Sequence, residues 1–156
     1  MFKRIAYISI AIISLIILII KFNLINKGIV IDDEAWFLLL MRDLPSGGDA
    51  PTQFYKLFQN VFNGDIYAMR LSYIFFEIFT YSIFSWGIYS FYKTKLQLKL
   101  VHFFVIISVT IIGNAIFSLP ICNIPYYANL NKTLLPLAIG LFLLSIKQFK
   151  QNKNYY

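Results

Sequence analysis

Three of the seven acidic residues in this chain are adjacent: Asp32, Asp33 and Glu34. An aspartate in such a cluster can act as a general base toward a hydroxyl. Three carboxylates together also suit a hard divalent cation, which takes oxygen ligands. Helix capping accounts for the same letters, with an Asp at the N-cap and a Glu in the first turn satisfying free N–H groups and the helix dipole. Glu77 is the one acid inside a long apolar run. An ionisable group there is costly and is by default a candidate for function. Arg70 lies seven residues earlier, so the two project from one helical face about two turns apart. Tyr73 sits between them on that face and Thr80 follows. A second reading makes the stripe structural, with Glu77 paired to another helix or protonated. Thr110, Asn114 and Ser118 form a similar stripe, read here as hydrogen-bonding between helices.

Other chemistries find little support in the letters. The single cysteine, Cys122, cannot close a disulfide within the chain. No Cys or His cluster has metal-ligand spacing, and the lone His102 reads as an interfacial residue. There is no glycine-rich phosphate loop and no Gly-x-Ser-x-Gly elbow. Asn131-Lys132-Thr133 matches a glycosylation sequon, a pattern short enough to be common by chance.

The elements that must position these residues are membrane helices. Of the 156 residues, 59% are hydrophobic and 13% charged, against roughly a quarter charged in an average soluble domain. The mean hydropathy is +0.68. This composition excludes a disordered chain and argues against a soluble domain. Basic residues outnumber acidic ones 14 to 7, but they flank apolar runs. That placement sets membrane topology and gives no nucleic-acid site.

Four runs are expected to span, at about 5–25, 71–92, 100–119 and 133–146. In the first, Ile5 to Ile20 reaches only about 24 Å. Extending it to Ile25, with Lys21 snorkelling outward, brings it to about 31 Å. Lys21-Phe22-Asn23 is a poor cleavage site, so the run reads as an uncleaved signal anchor. Pro136 is expected in the first turn of the fourth helix, where its missing N–H costs nothing. Four crossings put both termini on one side with Lys3, Arg4, Lys93, Lys95, Lys99, Lys147, Lys150 and Lys153. Asp32, Asp33, Glu34, Asp43, Asp49 and Asp65 fall on the other. The positive-inside rule then places the termini in the cytoplasm, as in a bacterial inner membrane, and loop 26–69 outside. That loop holds two short helical patterns. One runs from Asp33 to Leu44 and is broken at Pro45-Ser46-Gly47-Gly48. The other runs from about Pro51 to Phe62, with Phe54, Leu57, Phe58, Val61 and Phe62 on one face, suited to the membrane interface. Asn63-Gly64 ends it, with glycine at the C-cap. The expected fold class is therefore an all-α polytopic membrane protein, one membrane domain of four spans with a long outer loop carrying two interfacial helices.

The order of motifs in that loop resembles a known family. A first span is followed by Asp33-Glu34 and a short helix, then Asp49-Ala50-Pro51, an amphipathic helix, Phe62-Asn63-Gly64, and Arg70-Leu71 at the second span. This is similar to the start of the polytopic membrane glycosyltransferases of the GT-C class, among them the protein O-mannosyltransferases and the aminoarabinose transferases of lipid A. The resemblance covers about residues 1–92, most strongly 32–75. It implies transfer of a sugar from a polyprenyl-phosphate carrier to an extracytoplasmic acceptor. Asp33 would be the base for the acceptor hydroxyl, supported by Asp32 or Glu34. Asp49 would shape the acceptor site. Arg70 would stabilise the carrier phosphate, and Glu77 on the same face is grouped with the substrate-binding residues. Family members are far longer, with later residues that bind the carrier, so the chain is expected to be the N-terminal part of a larger fold or to work with a larger partner.

Two other classes fit the same letters. One is a non-enzymatic four-helix membrane subunit or assembly partner. The other is a small transporter built around Glu77, for which no inverted repeat is visible.

Overall fold

The computed structural model describes residues 2–25, 61–63, 65–117 and 127–153. The two expected loop helices, with Asp32, Asp33, Glu34 and Asp49, lie outside the described residues apart from the end of the second. There Val61 and Phe62 are helical and Asn63 takes φ 49°. This left-handed conformation favours Gly and Asn at a helix C-terminus.

The described chain is all-helical, with four helices: α1 (Phe2–Leu24), α2 (Ile66–Tyr92), α3 (Leu100–Phe117) and α4 (Tyr127–Lys153). Three of them are long and apolar enough to cross a membrane, over Lys3–Leu24, Tyr67–Tyr92 and Lys132–Phe149. The apolar helix Leu100–Ile116 is shorter.

The helix boundaries depart from the expected ones for local reasons. Helix α2 begins five residues before the expected start at 71, because the Asp65 side chain accepts from the Ala68 N–H at 3.1 Å and caps it. Arg70 therefore belongs to the helix instead of preceding it. Helix α4 extends well beyond the expected 133–146 on both sides. Pro136 is thus an interior residue and not a first-turn one, and it forfeits the backbone bond to the residue four before it. Apolar helices tolerate such a proline where neighbouring helices re-satisfy the freed groups. At its start α3 is capped by His102, whose Nδ1 lies 2.9 Å from the Lys99 N–H. Gln97, at φ 51°, turns the chain between α2 and α3.

Side-chain pairs fix the directions. Ile25 meets Arg70, Phe22 meets Phe75 and Lys21 meets Glu77, so α1 and α2 are antiparallel. Trp86 packs edge-on against Phe103 while Glu77 meets Asn114, so α2 and α3 are antiparallel. Tyr73 meets Thr133 and Gly87 meets Gly140, so α2 and α4 run the same way. Helix α2 is the centre. Of its apolar stretch 39% is buried, against 6% for α1 and 11% for α4.

The α2–α4 contact depends on glycine. A Cβ on Gly87 would lie 2.6 Å from the Gly140 carbonyl oxygen, and one on Gly140 would lie 2.7 Å from the Phe84 Cα. Both obstacles are backbone and cannot rotate away. Tyr73, Thr80 and Gly87 recur at seven-residue spacing on α2, as do Thr133 and Gly140 on α4. Small residues at such a seam let helix backbones approach where lipid supplies no hydrophobic drive. Gly140→Ala is expected to cost about 1–3 kcal/mol. Gly113→Ala, with nothing within 4 Å of the added atom, should be neutral or stabilise by up to about 1 kcal/mol. Thermal unfolding of the two variants in one detergent tests the contrast, and equal effects would remove the close crossing.

Candidate functional site

A polar layer crosses the bundle interior. Lys21 on α1 donates to Glu77 Oε2 at 2.6 Å, with side-chain exposures of 15% and 8%. Asn114 Nδ2 on α3 donates to Glu77 Oε1 at 3.2 Å. Both carboxylate oxygens are thereby engaged, by residues from two other helices. On the α4 side, the hydroxyls of Tyr73 and Thr133 share a 2.8 Å hydrogen bond with both residues buried. Every helix contributes at least one member to this layer.

Each member is placed by helical spacing. Arg70, Tyr73 and Glu77 lie on one side of α2, and all three are buried. Thr80, fully buried one turn on, returns its hydroxyl to the Glu77 backbone carbonyl at 2.9 Å. Arg70 Nη1 donates to the Ile25 carbonyl at 2.8 Å. That carbonyl lies just past the end of α1, where orphan C=O groups and the negative end of the helix dipole favour a cation. The buried Tyr81 hydroxyl faces the Glu77 carboxylate, and one turn on the buried Ser85 hydroxyl has no hydrogen-bond partner among the described residues.

The expected face of Arg70, Tyr73 and Glu77 thus exists, and it bonds to other helices. Of the α3 stripe, Asn114 reaches Glu77, whereas Thr110 bonds within its own helix to the Ile106 carbonyl. Ser118 lies outside the described residues. Lys21 requires a correction. It was expected to snorkel outward, but its ammonium turns inward to Glu77. A carboxylate at hydrogen-bond distance within the bundle outcompetes extension to the interface. Sequence reasoning weighed Lys21 only as the end of a span. The signal that could have found it is that the chain has one span-embedded acid and one lysine near the end of the first apolar run.

Arg70 and Glu77, grouped in the sequence with substrate binding, hold helix ends and helix faces together in this arrangement. Asp32, Asp33, Glu34 and Asp49 lie outside the described residues. Among the described residues no group of three or more His, Cys, Asp or Glu comes together. Comparison with protein-family models, with curated proteins and with solved structures gives no match.

Charges withdrawn from water are costly unless paired, and removing one partner of a buried pair leaves the other uncompensated, typically at about 3–5 kcal/mol. Lys21→Met and Glu77→Gln should each destabilise by about that amount. The double variant Lys21→Met/Glu77→Gln should lose clearly less than the sum. Unfolding of all four proteins in detergent gives the coupling energy, and strictly additive losses would show that the two residues act independently.

Proposed function

We propose that the chain is the N-terminal membrane part of a glycosyltransferase that takes its sugar from a polyprenyl-phosphate donor. In this reading all four helices cross the bilayer, with α3 as the shortest crossing. The basic ends face the cytoplasm and segment 26–64 lies outside. The support in sequence is the order of motifs between Asp32 and Arg70. The structural observation that carries the reading furthest is the bond between Arg70 and the Ile25 carbonyl. It brings the two ends of segment 26–64 together at one end of the bundle. Asp33 is eight residues beyond Ile25, which bounds its distance from that point at about 29 Å. An acid-bearing segment anchored there suits a donor whose lipid tail keeps it at the interface.

In the proposed reaction the acceptor hydroxyl attacks the anomeric carbon. Its proton passes to the Asp33 carboxylate, the new C–O bond forms, and the bond from that carbon to the carrier phosphate breaks. Asp32 or Glu34 supports the base, with or without a divalent cation, and Asp49 helps shape the acceptor site. Arg70 sits where the segment rejoins the bundle and contributes positive charge toward the carrier phosphate, whose direct contacts come from a further polypeptide or segment.

A second reading, a non-enzymatic membrane subunit, is favoured by one observation. Glu77 and Arg70 are committed to bonds between the helices of the chain itself. The two readings separate at the acids. In native membranes supplied with a radiolabelled polyprenyl-phosphate sugar, Asp33→Asn should reduce transfer at least about 100-fold, the lower end of what a general base contributes. The amount of protein in the membrane should be unchanged. Undiminished transfer with Asp32, Asp33 and Glu34 all neutralised would instead support the subunit reading.

A further inference from the structure

One end of the bundle is formed by the start of α1, the α2–α3 turn and the end of α4. Tyr7 on α1 meets the His102 ring on α3 with centroids 6.0 Å apart, which places the first turns of α1 at the same end as the turn. Helix α4 runs parallel to α2, so its C-terminal part lies there too. Lys3, Arg4, Lys93, Lys95 and Lys99 are exposed at this end, and Lys147 is half-buried. The acids among the described residues are Asp65 and Glu77. Asp65 caps the opposite end of α2 and Glu77 is paired in the interior. No described carboxylate therefore neutralises the basic end.

Aromatic rings underlie these cations. Trp86, Tyr89 and Phe103 form a cluster with centroid separations of 5.5 to 6.2 Å. Lys93 Nζ lies 5.7 Å from the centre of the Tyr89 ring. Aromatic rings with lysines just beyond them mark the headgroup level of a bilayer. At the start of α3 the His102 ring is engaged with the Lys99 backbone. The cations are spread over exposed lysine side chains, which suits a population of headgroups better than one stereospecific anion.

We propose that this end is a docking surface for anionic phospholipid headgroups, with Lys93, Lys95 and Lys99 of the α2–α3 turn as its centre. The proposal rests on the membrane reading and is independent of any sugar transfer. Each Lys near a charged bilayer surface contributes about 1 kcal/mol of attraction, equivalent to about a fivefold enrichment, and the effect falls with salt.

Trp86 is the reporter. It is 45% exposed and lies six residues from the end of α2, about 9 Å along the axis. The full chain, with Trp36→Phe to leave Trp86 as the one tryptophan, is reconstituted in phosphatidylcholine vesicles. Either phosphatidylcholine or phosphatidylglycerol, brominated near the headgroup, is then added. Brominated phosphatidylglycerol is expected to quench Trp86 with apparent affinity higher by at least about fivefold, the contribution of a single Lys, at low salt. Lys93→Gln/Lys95→Gln/Lys99→Gln, confined to exposed side chains, should abolish most of that preference, as should high salt. Equal quenching by both lipids, or a preference untouched by the triple substitution, overturns the proposal and leaves the membrane reading standing. Absence of quenching by either lipid overturns both.

Discussion

A carboxylate in an apolar helix must find a partner or lose its charge, and the arrangement of this bundle follows from that constraint. Glu77 satisfies it with Lys21 on one oxygen and Asn114 on the other. The pairing sets the axial register of α1 against α2 and draws α3 to the same level. The rest of α1 lies mainly along α3, with Tyr7 against His102, and its end is held to α2 by Phe22 against Phe75 and by Arg70 at the Ile25 carbonyl. Alignment by this polar contact is strong because an alternative register leaves a charge unpaired among apolar side chains.

The other side of α2 uses a different physics. No ion pair joins α2 to α4 among the described residues. The two meet through Gly87 against Gly140, where backbones approach too closely for any side chain, and through the Tyr73–Thr133 hydrogen bond. In lipid, where burying an apolar side chain gains little, close van der Waals contact and hydrogen bonds carry helix association. Helix α2 is therefore held by charge on one face and by shape on the other, which explains why it is the most buried of the four.

These attachments also bear on chemistry. Arg70 at Ile25 and Lys21 at Glu77 fix the end of α1 against the first half of α2. The proposed acid site would thus be carried by the segment that joins these two mutually bonded helices. The residues grouped with it in the sequence divide accordingly, with Arg70 and Glu77 in the anchor and Asp32, Asp33, Glu34 and Asp49 in the segment.

The sequence alone determined the all-helical class, the presence of helices long and apolar enough to cross a membrane, and the gathering of Lys3, Arg4, Lys93, Lys95 and Lys99 at one end. It also determined the common face of Arg70, Tyr73 and Glu77. These follow from composition and from the 3.6-residue period, which act along the chain and need no knowledge of neighbours. It located Asn114 on a stripe able to join helices without naming Glu77 as its partner. Helix ends were less legible, because the Asp65 cap and an interior Pro136 depend on whether the helix on either side continues. Only the tertiary structure decided that Lys21 turns inward and that Gly87 crosses Gly140. Both depend on which distant segment arrives at the same depth, and a local pattern cannot encode the distance between residues 56 or 53 positions apart.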